Sequence, residues 1–316
     1  MSCHNRLFST LTDASSVETL VLNTQPKPVL STDTQVLIKI KSISINPIDY
    51  KLIGIEQMKG MDPRPLPRGV GSDFSGVVEA VGSSVTRMKV GDAVFGDGLG
   101  GEVIAEYLVI ESAIVAQKPS NLSFNEAAGV ALASSTALQV LRNAGEVKAG
   151  SKVCIFGGSG GVGIAAIQIA KALGASEIVT TSTATDLCKS LGADSVINYR
   201  DEDVGEKLKG QNFDVVFDAV GGEAHWEAGK KIMNPDTGKY LTIAGAFSKD
   251  EKGYQFVLKK PDGPDLDQLK DWIEKGTLKV VNDGTPEPFT QEGLSNLFKK
   301  QQSGKSKGKN IMEVSV

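Results

Sequence analysis

Cysteine and histidine are the scarcest informative residues in this chain, with three and two among 316. Cys3, Cys154 and Cys188 form no CxxC pair, so neither a disulfide framework nor a four-cysteine zinc lobe can be built. Such sparing use of cysteine fits a reducing compartment, with the cytoplasm as the expected location. Long apolar runs are also missing. No stretch approaches the 18 or so apolar residues of a membrane span, so no integral membrane segment is expected. The first residues, MSCHNRLFSTLTDASS, hold one arginine and no apolar h-region. That argues against a secretory signal and gives only weak support to organellar import. Excess positive charge is absent too: the net charge of −4 excludes a nucleic-acid binder that works through overall basicity.

What is present is ordinary globular composition, 40% apolar and 23% charged, with a mild excess of glycine at 35 residues over the usual ~7%. The length is about twice a single-domain prior of ~150 residues, which suggests two domains. Two textures bear this out. Up to residue 126 the pattern alternates in short runs: Gln35–Asn46, Gly76–Gly82, Asp92–Gly96 and Ala105–Ile110 read as half-buried strands. The proline-bearing segment Gly54–Gly71 reads as an irregular loop.

Between 127 and 276 strands alternate with helices. Lys152–Gly157, Glu177–Thr181, Ser195–Tyr199, Phe213–Val220 and Lys239–Ala246 are strand-like, and Val162–Gly174 and Thr185–Gly192 helix-like. Repeated β-α units predict a parallel sheet with helices on both faces. Residues 277–316, with a helix around Thr290–Lys300 and a last strand from Asn310, are expected to return to the first domain.

The strongest local signal is F-G-G-S-G-G-V-G at Phe156–Gly163, between a strand and a helix. Gly158, Gly160 and Gly163 match G-x-G-x-x-G, in which glycines permit a tight turn, close approach of a pyrophosphate, and close helix–strand packing. Ser159, Gly161 and Val162 complete the turn, and the helix N-terminus favours phosphate. A dinucleotide is the expected cofactor. About 20 positions on, where an NAD binder carries an acidic residue, stand Thr181, Ser182 and Thr183. Ser182 and Thr183 can donate to a 2′-phosphate, with Lys189, Tyr199 and Arg200 nearby. NADPH is therefore expected, while Asp186 keeps NADH open. Alternatively the hydroxyls form only a polar turn.

Asn46-Pro-Ile-Asp-Tyr-Lys51 packs polar, aromatic and basic groups into what reads as a short turn. Asn46 could donate to a ribose or carbonyl, Tyr50 could donate a proton, and Lys51 could polarise a carbonyl oxygen. Equally, Asn46 and Asp49 could cap the turn and Lys51 be solvated. The five lysines of residues 299–309 read as a solvated basic face rather than a membrane or nucleic-acid patch.

Asn46–Lys51, Gly71–Gly82, Val90–Gly96, Leu122–Ala128, Thr136–Gln139, Phe156–Gly163, Leu191–Tyr199 and Phe213–Gly222 together resemble the zinc-independent quinone oxidoreductases of the medium-chain dehydrogenase/reductase superfamily. Within it, the turn ending in Tyr50–Lys51 is most similar to the enone-reducing branch. The resemblance implies an α/β fold: a GroES-like β-rich catalytic domain (1–126 and 277–316) and a doubly wound, parallel Rossmann domain (127–276), with a cofactor cleft between them. It also implies a homodimer. The metal-ligand cysteines and histidines of the superfamily's zinc alcohol dehydrogenases have no counterparts in the catalytic domain, so no metal site is expected. The segment Ser182–Lys189 is shorter than in relatives and lacks an arginine often found there.

By resemblance, Lys51 donates to the oxygen that gathers charge as hydride reaches a quinone or α,β-unsaturated carbonyl. Asn46 holds the nicotinamide ribose or the substrate, and Tyr50 is an aromatic wall or a proton donor. Thr136, Val220, Ala244 and Gly245 face the nicotinamide, Tyr199 lies on the phosphate side, and Lys309 reaches cofactor phosphates. Two other activities stay open: reduction of an enoyl thioester, and a non-catalytic protein that senses NADPH or contacts a partner.

Overall fold

The computed structural model describes residues 5–13, 16–54, 64–99, 101–245 and 250–314. Its contacts divide the chain into two units: Met1–Leu132 with Pro261–Glu274 and Val280–Val316, and Ala133–Lys260 with Lys275–Lys279.

The first unit opens with an antiparallel pair, β1 (Asn5–Leu11) and β2 (Leu20–Pro26). Its main sheet is organised on β3 (Gln35–Ile45). β4 (Asp73–Val81) lies along one edge of β3, and β5 (Ala93–Asp97) continues the sheet beyond it. The other edge is shared. β6 (Tyr107–Glu111) pairs with the first half of β3, while β15 (Asn310–Glu313) pairs with Ser42–Ile45. β7 (Val115–Gln117) and the two-residue β14 (Glu287–Pro288) complete the sheet. Register shifts in the β3–β4 pair at Leu37/Ile38 and Ile40/Ser42 mark bulges, which bend a strand and increase its twist.

Leu11, Leu20, Ile38, Ile40, Ile43, Phe74, Val94, Phe298 and Met312 sit in the core that this sheet encloses. The second half of β3 buries both faces, Ser42 and Ser44 as well as Ile43 and Ile45, because the short helix α2 (Phe124–Ala128) packs over it. A capping box starts that helix: Ser123 Oγ accepts from the Glu126 N–H, and Glu126 accepts from the Ser123 N–H.

In the second unit, β8 (Lys152–Phe156), β9 (Glu177–Thr181), β10 (Ser195–Ile197), β11 (Val215–Asp218), β12 (Lys239–Thr242) and β13 (Tyr254–Phe256) form one parallel sheet in the order β10-β9-β8-β11-β12-β13. Successive strands are added toward one edge from β8 to β10 and toward the other from β11 to β13, so the strand order reverses between β8 and β11. Open α/β sheets bind ligands at such a switch point, beyond the strands' C-terminal ends. The architecture is thus mixed α/β, a β-rich unit joined to a six-stranded parallel Rossmann-like unit.

The sequence placed the division at 126/127 and 276/277, and the contacts divide differently over residues 127–132, 261–274 and 277–279. The helix Gly263–Glu274 belongs with the first unit for identifiable reasons. Arg87 pairs with Asp267 at 2.5 Å, the Ser120 N–H donates to Glu274 at 2.8 Å, and Asn121 Nδ2 donates to the Ile273 carbonyl at 3.0 Å. Residues 55–63 of the loop expected at Gly54–Gly71 lie outside the described residues, as do Cys3, His4 and Ala246.

Candidate functional site

The glycine-rich turn leaves β8 at Phe156 and enters α4 (Gly161–Ala172). Gly157 adopts φ +89°, which favours glycine, and its N–H donates to Thr181 Oγ1 at 3.1 Å. The three motif glycines are required for different reasons. A Cβ on Gly158 would lie 2.2 Å from Thr180 Oγ1, and one on Gly163 would lie 2.1 Å from the Gly157 carbonyl oxygen. Both positions are closed by the protein itself. A Cβ on Gly160 would meet nothing nearer than 3.5 Å, so its smallness serves the open side of the turn.

Helix bonding begins with the Ile164 N–H donating to the Gly160 carbonyl at 2.9 Å. The N–H groups of Gly161, Val162 and Gly163 therefore have no partner within the helix and are available to an anion. These features fit the pyrophosphate of a dinucleotide. Ser159, Gly161 and Val162 are half-buried around the same turn.

At the end of β9, Ser182 and Thr183 behave differently. Ser182 is buried, its N–H donates to the Ile197 carbonyl at 3.0 Å, and its hydroxyl oxygen accepts from the Ala184 N–H at 2.9 Å. It shapes the turn. Thr183 is exposed, as are Asp186, Lys189 and Arg200, and Tyr199 is 56% exposed.

Across the switch point, Asp218 ends β11 and is 1% exposed. It accepts from the N–H groups of Val220 and Gly221 at 2.9 Å each, from Tyr240 Oη at 2.6 Å, and lies 3.1 Å from His225 Nδ1. Burial works to raise its carboxyl, but these bonds, His225 foremost, outweigh it and hold the group below the usual carboxylate range. Asp218 thereby fixes the turn that presents Val220, which is 55% exposed. Ala244 is half-buried and Gly245 exposed at φ +98°, beyond β12. Thr136 is buried in α3 (Ala131–Leu138).

The first unit holds the other candidates. The stretch read as a turn is a helix, α1 (Pro47–Gly54). Proline suits the first helical position because its missing N–H would have no intrahelical partner. Asn46 caps α1 in an unusual way. Its backbone N–H donates to Asp49 Oδ2 at 2.7 Å, while its side chain turns away from the helix. Its Nδ2 donates to Asp73 Oδ2 at 2.9 Å and its Oδ1 accepts from Lys309 Nζ. Lys309 Nζ also lies 3.0 Å from Asp73 Oδ2, and Asp73 Oδ1 accepts from the Leu132 N–H at 2.6 Å. Asp49 Oδ1 accepts from Ser72 Oγ at 2.6 Å.

Lys309, expected by resemblance to reach cofactor phosphates, is buried with its ammonium paired to Asp73 and Asn46. Asp49 and Asp73 were missed as members of the assembly. Burial pushes the Asp49 carboxyl up to about 7, with nearby Asp73 adding to the rise. Tyr50 and Lys51 are half-buried on α1. Burial raises the Tyr50 hydroxyl and lowers the Lys51 ammonium from their ordinary values, and the Tyr50 side chain packs on the unit's core. Among the described residues, no group of three or more His, Cys, Asp or Glu side chains is placed to hold a metal ion.

Comparison with known proteins agrees with this anatomy. Residues 32–120 match the alcohol dehydrogenase GroES-like domain, and residues 191–312 match the family described as zinc-binding dehydrogenase. A 2-methylene-furan-3-one reductase of Solanum lycopersicum is 38% identical over 312 residues, covering 95% of this chain and 77% of the relative. The chloroplastic NADPH-dependent alkenal/one oxidoreductase of Arabidopsis thaliana is 35% identical over 292 residues, covering 89% and 72%. Among solved structures, the quinone oxidoreductase from Coxiella burnetii superposes with a TM-score of 0.86 at 29% identity, covering 99% of this chain and all of that one. The Escherichia coli quinone oxidoreductase complexed with NADPH gives 0.81 at 25%, covering 98% and 100%. On fold, motifs and relatives alike, the chain belongs to the medium-chain dehydrogenase/reductase superfamily, in its quinone and alkenal/one oxidoreductase branch.

Proposed function

We propose that this protein is an NADPH-dependent reductase of α,β-unsaturated carbonyls, with quinones as the related acceptor class. The observation that carries the reading is Lys51. It is half-buried on a helix anchored at its first turn by buried polar groups, in a chain whose dinucleotide turn is complete. The names of the tomato and Arabidopsis relatives support the enone class, and the latter supports NADPH.

NADPH, when bound, supplies the hydride. The chain's own residues supply everything else. Backbone N–H groups of Gly161, Val162 and Gly163 receive the pyrophosphate, and Gly160 lets it approach. At the 2′-phosphate, Thr183 and Tyr199 offer exposed hydroxyls beyond the end of β9, and residues 181–183 carry no carboxylate. Val220, Ala244, Gly245 and Thr136 form the nicotinamide surroundings.

A conjugated acceptor takes hydride at carbon and gathers negative charge on a distant oxygen. Lys51 donates to that oxygen, and the partial desolvation that lowers its ammonium strengthens the interaction. Asn46 has one N–H uncommitted among the described residues, for the same oxygen or the ribose. Tyr50, packed on the core, serves as an apolar wall.

The test is cofactor oxidation by the purified protein with NADPH and NADH separately, against 3-penten-2-one, 1,4-benzoquinone and a crotonyl thioester. Turnover with NADPH and the enone or quinone is expected. Preference for the thioester replaces the substrate class, and tight NADPH binding with no turnover replaces the enzyme by a sensor.

A further inference from the structure

Asn is a common helix cap because its side chain can accept from the first turn, yet the Asn46 side chain turns away from α1, and Asp49 reaches back to accept from the Asn46 backbone N–H. Its carboxamide is instead gripped at both ends, Nδ2 by Asp73 and Oδ1 by Lys309. An amide has four bonding positions, and the two-ended grip leaves one N–H of Nδ2 without a partner among the described residues. Ser72 holds Asp49 from the start of β4, and Leu132 holds Asp73. Asn46, Asp49, Asp73 and Lys309 are each 7% exposed or less. A surface tether would tolerate slack, whereas a buried, two-ended grip allows one orientation.

We propose that the Asp73–Lys309 ion pair is a positioning device: it orients the Asn46 carboxamide and, through the Asn46–Asp49 bond, sets the first turn of the helix that aims Lys51. The inference rests on the reductase reading and extends it to residues that touch neither substrate nor cofactor. It also gives the device a pH response. The groups facing Asp49 from neighbouring elements are Asp73 on β4 and Lys309 before β15, with Ser72 as hydrogen-bond donor. With Asp49 protonated, the single ammonium serves a single carboxylate. Ionisation of Asp49 near neutrality adds a second buried carboxylate without a second cation, and the grip on Asn46 loosens. Turnover therefore falls as pH rises through about 7.

The test begins with wild type, NADPH and 3-penten-2-one; failure there strikes the reductase reading, not the positioning device. Removing one charge alone would strand the other, so the first variant removes both, Asp73→Asn with Lys309→Met. The device predicts kcat down by about tenfold or more from misplacement of Lys51, with the NADPH Kd within about threefold of wild type. Unchanged kcat overturns it, as does a weakened NADPH Kd with kcat preserved, which would make Lys309 a cofactor contact. The second variant, Asp49→Asn, is isosteric and needs no charge rebalancing. Its kcat/KM profile is expected to lose the decline near pH 7, and an identical decline overturns the proposal even if the double variant does not fold.

Discussion

Asp49 makes a prediction about stability that is independent of activity. Its carboxyl is 2% exposed and is pushed from 3.8 to about 7. The folded protein therefore holds this proton more tightly than the unfolded chain. Stability contributed by the bound proton is largest below about pH 4, declines as pH rises, and is gone above about 7. Between pH 5.5 and 8.5 the linkage integral gives a loss of about 2 kcal/mol. In a unit of this size that corresponds to roughly 4–8 °C in Tm.

Asp49→Asn removes the titration while keeping both bonds. The amide oxygen accepts from the Asn46 N–H, and the amide nitrogen donates to Ser72 Oγ, whose hydroxyl can turn to accept. The assay is the melting temperature of wild type and variant at both pH values. The variant should gain on wild type by roughly 4–8 °C on going to pH 8.5. A gap that does not change with pH, or one that moves the other way, refutes the assignment of a raised, proton-holding Asp49.

Lys51→Ala should lower kcat/KM with the enone by about 10²–10³, as loss of an oxyanion donor does; a loss below about threefold removes Lys51 from the mechanism. Because burial lowers the Lys51 ammonium, the alkaline limb that remains in Asp49→Asn, where the decline near pH 7 is removed, should fall below the ordinary lysine value of 10.5, and a limb at or above it contradicts the burial argument. Gly163→Ala drives a Cβ to 2.1 Å from the Gly157 carbonyl and should destabilise the protein by about 1–3 kcal/mol or more, read by thermal unfolding. Gly160→Ala meets no such obstacle, so it should melt like wild type yet weaken NADPH in a fluorescence titration; equal weakening of stability by the two would dissolve the distinction. Asp218→Ala strands two N–H groups and the Tyr240 hydroxyl, at about 1–3 kcal/mol each where burial persists, and urea unfolding should show a clear loss of stability.

Elements whose pattern is local were readable from residue order. The glycine turn, β3, β9 and α4 appear within a residue or two of their expected places because alternation, β-branched content and glycine placement are short-range signals. α1 was misread as a turn, although Asn-Pro-x-Asp carries a helix-start signature of cap, N1 proline and early acid. The β1–β2 pair escaped because residues 5–11 are short and rich in hydroxyls, and their burial depends on strands far along the chain. The grip on Asn46 was the least legible feature. Asp73 and Lys309 are 236 residues apart, and nothing local distinguishes Lys309 from the solvated lysines before it. The usable hint was an aspartate at the head of an apolar strand.

The most direct test of the central claim follows the hydride itself. With NADPH deuterated at C4 of the nicotinamide and 3-penten-2-one as acceptor, mass spectrometry locates the label in the product. The account predicts a saturated ketone with one deuterium on the carbon β to the carbonyl. Label on the carbonyl carbon of an allylic alcohol would show that the protein reduces the carbonyl directly, and the conjugate-reduction account would be wrong.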